Sequence, residues 1–229
     1  MNNSYKTTEL RKSMLYDGFP VMEYNIKYPF FKLSDGKGEK RINRYYERYT
    51  EKLKHYCEKT FFDISCAGYR QNIRENTYPA SVKISVDFNV TRFDNMLICV
   101  MFTQRILWGT ERPVVVHISD IWDITGIPVM ADELFSSKRK SKKLLTEKYL
   151  IQSNIRNDSQ TYPKLKLKKL VRNIEKQCIE IGEKTIDLIC GYGETRRFSD
   201  DCVRFSCPVE ILNEILNPLY FTVARQNRE

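Results

Sequence analysis

The chain is poor in the residues that catalysis and metal binding usually need. It has two histidines, His55 and His117, and neither lies in a recognisable catalytic motif. Its seven cysteines include no C-x-x-C pair: Cys57 and Cys66 lie nine apart, and Cys202 and Cys207 five apart. That spacing does not suit zinc, so no metal ligands are assigned. The cysteines instead read as reduced and mostly buried, behaving as small hydrophobes. No apolar run reaches the ~18–20 residues that a membrane-crossing helix needs. The segment from Met1 to Ser13 is polar and lacks the apolar centre of a secretory signal, which leads to the expectation of a cytoplasmic protein. Gly191-Tyr192-Gly193-Glu194-Thr195 is glycine-punctuated but lacks the lysine and hydroxyl of a phosphate loop. No cofactor is expected.

What remains is an ordinary globular composition with a basic surplus. Of 229 residues, 41% are hydrophobic and 29% charged, which favours a packed core over disorder. The formal net charge of +9 fits an anionic partner such as nucleic acid, or simple solubility.

The stretch from Ala80 to Thr125 organises the chain. Val82, Ile84, Val86, Phe88 and Val90 alternate with Lys83, Ser85, Asp87, Asn89 and Thr91, a period of two that predicts a half-buried strand. Met96 to Phe102 is apolar on both faces and reads as a central strand. Pro113 to Ile118 is rich in β-branched residues and reads as a third. Short links between the three favour an antiparallel meander.

The flanks supply the cover. Val21 to Tyr28 reads as an edge strand stopped by Pro29, and Ser34 to Gly38 as a loop. Ile42, Tyr46, Tyr49, Leu53 and Tyr56 recur at helical spacing, with Arg41, Arg44, Glu47, Arg48, Glu51 and Lys52 around them. This reads as a core stripe under a self-paired charged surface; the competing reading is a tyrosine platform for bases. A helix is expected from Lys138 to Ile155 with Leu144, Leu145, Tyr149 and Ile151 inward, and another from Pro163 with Leu167, Leu170, Val171 and Ile174 inward. Strands are expected at Ile186–Cys190 and Cys202–Cys207, followed by a short helix opened by Pro208. The resulting class is α+β: an antiparallel sheet with helices packed on it. Residues 1–15 are expected to be a flexible tail, 16–220 a single domain, and 221–229 a frayed end.

Two basic segments are candidate anion-binding sites. Lys138, Arg139, Lys140, Lys142 and Lys143 open one predicted helix, where positive charge opposes the helix dipole. Lys164, Lys166, Lys168, Lys169 and Arg172 surround the apolar face of the next. The alternative is a solvated surface in a basic protein. Trp108, near a turn, is a candidate interface anchor if exposed and a core residue if buried. Asp87 with Asp94, or Asp200 with Asp201, could pair as carboxylates, but no nucleophile–base set accompanies them, so no catalytic residue is assigned.

Four motifs, in order, resemble a bacterial domain of unknown function found in the extracytoplasmic part of the anti-sigma factor RsiV and beside the catalytic domain of the deacetylase PdaC. Tyr24 to Pro29 is similar to its opening strand, which ends in Tyr-Pro. Lys40 to Tyr46 resembles its Ile-Asn helix, and Trp122 to Gly126 with Leu134-Phe135 its hairpin. Val203 to Pro208 with Ile211-Leu212 resembles its closing strand and helix. The chain looks closest to short members that lack a signal sequence. It departs at Ile106 to Pro113, where the family carries Thr-Gly-Gly-Ala-His-Gly; His117 lies later and does not replace the lost histidine. The resemblance implies an α+β fold and recognition rather than catalysis, since RsiV uses this region to bind lysozyme; it favours a non-catalytic module that binds a protein or a glycan-like ligand.

Overall fold

The computed structural model describes residues 3–155, 164–190 and 202–221. Five strands form one sheet in the order β1-β2-β3-β4-β5, mostly antiparallel: Ser4–Tyr16, Phe19–Lys32, Val82–Phe93, Leu97–Trp108 and Val114–Asp123. Between β2 and β3 run α1 (Gly36–Tyr56), a five-residue π-turn (Cys57–Phe61) and α2 (Phe62–Arg74). After β5 come α3 (Lys138–Ile155) and α4 (Lys164–Arg172). Strands β6 (Cys178–Ile181), β7 (Thr185–Cys190) and β8 (Val203–Pro208) form a second, antiparallel sheet, and α5 (Val209–Leu212) follows. The α+β class expected from the pattern is the one observed.

By its contacts the chain forms two compact units: Met1–Asn89 with Phe102–His117, and Val90–Met101 with Ile118–Glu229.

In the first unit α1 covers the sheet. Val82, Ile84 and Val86 of β3 are buried, as the alternation predicts, while Phe88 is half-buried. Ile42 and Tyr46 of α1 are fully buried, and the Tyr46 ring lies 5.5 Å from Phe102 and 6.2 Å from Phe31. Aromatic contacts at these separations add to the gain from area burial.

The amino-terminal segment read as a tail is instead β1. It pairs with β2 from Ser4↔Lys32 to Tyr16↔Phe19. Most of its side chains are exposed, so main-chain bonds rather than hydrophobic burial hold it. The turn is Asp17-Gly18, with φ +49° and +75°. Positive φ at both central residues matches the twist of a two-residue hairpin. Strand β2 is therefore not an edge. It lies between β1 and β3, antiparallel to the first and parallel to the second over Met22↔Val82 to Ile26↔Val86. Ser34 to Gly38 is not wholly loop either: Asp35 caps α1, and Gly36 begins it. Strand β4 runs on to Trp108 and β5 to Asp123, beyond the expected ends at Phe102 and Ile118. The β4 extension is half-buried or exposed, whereas the β5 extension carries Ile121 and Trp122 into the core.

In the second unit α3 and α4 join the three-stranded sheet in one core. Leu145 and Tyr149 of α3, Leu167 and Val171 of α4, and Ile181, Leu188 and Phe205 of the strands are buried together. Tyr149 packs against Phe205 in a tilted contact, with centroids 5.8 Å apart. Ile151, expected inward, is exposed, and Ser141, Thr146 and Ser153 are buried with Leu145 and Tyr149. Gln152 closes the free edge of β8: its side-chain oxygen accepts from Ser206 N at 2.8 Å, and its side-chain NH₂ donates to Ser206 O. The glycine loop at 191–195, the carboxylates Asp200 and Asp201, and the terminus from Ala224 lie outside the described residues.

Candidate anion-binding face

Helix α1 starts where Asp35 accepts from Lys37 N at 3.1 Å and from Gly38 N at 3.2 Å, satisfying two of the four free amides of the first turn. Gly38, Ile42, Asn43, Tyr46 and Thr50 form its buried stripe. That fixes the rotation of the helix and so decides which residues face outward.

The outward row is Arg41, Arg44, Tyr45, Arg48, Tyr49 and Lys52, which line one open groove of about 580 Å³. Their spacings alternate between three and one, which keeps them on one side of an α-helix. Cations at 44, 48 and 52 recur about every 6 Å along the axis. Arg44, Arg48 and Lys52 form no ion pair with any described residue. Of the flanking acids, Glu51 pairs with Lys54 at 3.3 Å, away from the row.

The two tyrosines are held in place from below. Tyr45 is 42% exposed and meets buried Tyr46 edge-to-face, with centroids 5.3 Å apart and planes at 78°. Tyr49 is half-buried and lies 6.2 Å from Phe102. Both rings are thus orientated by the core, while part of each remains on the surface.

Sequence reasoning missed this row for two reasons. It preferred a core stripe to a base-stacking platform for Tyr49 and did not single out Tyr45, and it treated the charged surface as mostly self-paired through Glu47 and Glu51. The available signal was the interleaving itself, cations at 41, 44, 48 and 52 with tyrosines at 45 and 49.

The two basic segments singled out from sequence fall on α3 and α4. Lys138 pairs with Asp132 at 2.6 Å, and that hydrogen bond raises its pKa. Arg139, Lys140 and Lys143 are exposed, and Lys142 is half-buried. On α4, Lys168, Lys169 and Arg172 are exposed and Lys166 is half-buried, while the Lys164 side chain is outside the described set. Leu167, Leu170 and Val171 are buried, so these cations occupy what the apolar face leaves over. Trp108 is not a bare loop tip. It ends β4, is half-buried, and packs against Phe61 in a tilted contact, with centroids 5.8 Å apart.

Among the described residues, the titratable groups considered for catalysis are engaged in local structure. Asp87 accepts from Lys27 at 2.9 Å and lies 3.6 Å from Arg105. Asp94 accepts from Met96 N, Leu97 N and Arg92 Nε at 2.7, 2.8 and 2.6 Å, which shapes the β3–β4 turn. His117 Nδ1 lies 3.2 Å from Thr103 Oγ1. All seven cysteines are free, and five are buried. Burial pushes the thiols of Cys57 and Cys207 up to about 11 and that of Cys178 to about 12, away from nucleophilic reactivity. Among the described residues there is no group of three or more acidic, cysteine or histidine side chains that could hold a metal. Nor is any described helix long and apolar enough to cross a membrane.

The chain matches no family model and no curated protein. Its fold does have solved counterparts. A DUF3298-family protein from Bacteroides fragilis superposes with a TM-score of 0.70 at 13% identity, covering 95% of this chain and 96% of the other. A DUF3298-family protein from Pseudomonas aeruginosa does so with a TM-score of 0.55, also at 13% identity, covering 95% and 97%. At that identity the likeness is one of fold: this is an α+β domain of the architecture seen in DUF3298 structures, a domain of unknown function.

Proposed function

We propose that the protein is a non-catalytic binding module that takes an anionic macromolecule on the outer face of α1. The carrying observation is the row of Arg44, Arg48 and Lys52, without internal ion pairs, interleaved with orientated tyrosines over a groove of about 580 Å³. Exposed cations left unpaired in a chain of net charge +9 create the field that draws an anionic partner. The engagement of Asp87, Asp94 and His117 in local structure supports a binder over a hydrolase. The ordered motifs similar to the RsiV and PdaC domains support kinship with a recognition module, and the free, buried thiols support a reducing compartment.

The test is retention on immobilised heparin across a salt gradient. Replacing Arg44, Arg48 and Lys52 together by Gln should move elution to clearly lower salt, because each lost contact removes about 0.7–0.9 from the slope of log affinity against log salt. Replacing Lys140, Lys143 and Lys168 by Gln should change elution less. Equal retention of the α1 variant and the parent would overturn the reading. A larger loss from the second variant would transfer the site to α3 and α4.

A further inference from the structure

We infer that the anionic partner is a single-stranded nucleic acid, with phosphates on Arg44, Arg48 and Lys52 and unpaired bases on Tyr45 and Tyr49. This inference rests on the binding reading above and specifies its ligand. Three features separate a nucleic acid from other polyanions.

The first is interleaving. A purely electrostatic surface needs cations only, yet here a tyrosine follows directly after Arg44 and another after Arg48. Single-strand binders combine a positive track for the backbone with aromatic rings for the bases.

The second is preorganisation. Tyr45 is set edge-to-face on fully buried Tyr46, and Tyr49 lies beside buried Phe102. Rings held this way lose little freedom when a planar group stacks on them, so more of the stacking energy appears as affinity.

The third is pitch. Arg44, Arg48 and Lys52 rise about 6 Å per step, and Tyr45 and Tyr49 keep the same step. Cation and ring therefore repeat together, as phosphate and base do along an extended strand. A duplex would present phosphates but would keep its bases stacked inside, leaving the tyrosines nothing to stack on.

The experiment is fluorescence anisotropy of the whole chain with labelled oligothymidylate at low salt. Its comparisons are an abasic oligomer of the same length and charge, and a heparin oligosaccharide. Expected results are binding of oligothymidylate with a log–log salt slope near −2, about 0.7 for each of three phosphate contacts. The abasic oligomer should bind ~10-fold or more weakly, as should Tyr45→Leu with oligothymidylate, from the loss of one stacked base. Arg44→Gln/Arg48→Gln/Lys52→Gln should abolish most binding while its thermal midpoint stays near the parent's, since all three side chains are exposed.

Equal affinity for the abasic oligomer would overturn this inference and leave the anion-binding reading standing. So would binding of heparin alone, lost in the triple variant. Failure of every polyanion to bind at low salt would overturn both.

Discussion

Asn43 of α1 grips the Phe31 peptide of β2 from both ends: its Oδ1 accepts from Phe31 N and its Nδ2 donates to Phe31 O, each at 2.8 Å. The reason lies in the pairing of β2. Its parallel ladder with β3 ends at Ile26, while its antiparallel ladder with β1 continues to Lys32. Peptides of β2 that face away from β1 beyond Ile26 therefore need other partners. Phe31 uses Asn43, Leu33 N donates to Glu39 Oε2 at 2.9 Å, and Pro29, two residues before Phe31, has no N–H to satisfy. The proline read as a strand terminator thus sits inside a strand, at a position of the same parity where its missing donor costs the β1 ladder nothing.

Replacing Asn43 by Ala strands a buried donor and a buried acceptor. An unsatisfied buried polar group costs about 1–3 kcal/mol, so Asn43→Ala should lower stability by roughly 2–4 kcal/mol. Urea denaturation measures this directly. A change within about 0.5 kcal/mol, the range of ordinary surface substitutions, would show that the amide is not holding the β2–α1 junction.

Stability should fade at both ends of the pH scale because of one cluster. Glu58 accepts from Lys12 at 2.7 Å and from Tyr24 OH at 3.0 Å. The Lys12 hydrogen bond holds the Glu58 carboxyl below its usual value of 4.5, against a smaller opposing effect of burial. A lowered folded pKa means the contribution is present above about 4.5 and is lost as pH falls below it. Burial, then the hydrogen bond to Glu58, pushes the Tyr24 phenol above its usual 10.0. A raised folded pKa gives stability that is present below about 10 and declines above it. Glu58→Gln keeps an acceptor but no charge. It should flatten the acid limb of the urea midpoint against pH and cost about 0.5–1 kcal/mol at neutral pH, the discounted value for a half-exposed pair. An unchanged acid limb would remove Glu58 from this role.

Where local pattern and tertiary burial agreed, the fold was readable. Alternation over Val82–Val86 and the doubly apolar Leu97–Phe102 gave two central strands because both report burial directly. Strand β1 was not readable through hydrophobicity, since an edge strand buries little, although Asp17-Gly18 was a hairpin signal in plain view. Strand β6 is four residues long, too short for a period to establish itself. The α1 row was hidden for a different reason. Spacing identifies a helix face, but whether arginines pair with neighbouring acids or stand free depends on rotamers that only coordinates supply.

Arg204 should be worth more than its exposure suggests. Its guanidinium lies 3.0 Å from Asp187 Oδ2 and 2.5 Å from Glu180 Oε2, and Asp187 is only 4% exposed. Registry places the acids opposite one another on β6 and β7, with Arg204 on β8 beside them. Arg204→Leu leaves a buried carboxylate without its cation. Because the guanidinium is itself half-exposed, the expected loss is about 2 kcal/mol, less than the 3–5 kcal/mol of a fully buried pair. Adding Asp187→Asn should recover part of that loss, and a double-mutant cycle measures how much. Additive effects would mean the pair is not coupled.

Gly109 closes the turn after β4. Its φ is +56°, and its N–H donates to Ser81 O at 3.0 Å. A Cβ added there would lie 2.7 Å from the Cβ of Ala80, closer than two carbons tolerate. Gly109→Ala therefore meets two separate costs: about 1–2 kcal/mol for a left-handed backbone and a further cost from the clash. The two can be told apart. Ala80→Gly removes the opposing methyl but leaves φ as it was, so Ala80→Gly/Gly109→Ala should regain the clash component alone. In thermal unfolding the double variant should lie between the parent and Gly109→Ala. If Ala80→Gly returns nothing, the glycine is required by its backbone angle; if it returns everything, close approach to Ala80 is the whole of the constraint.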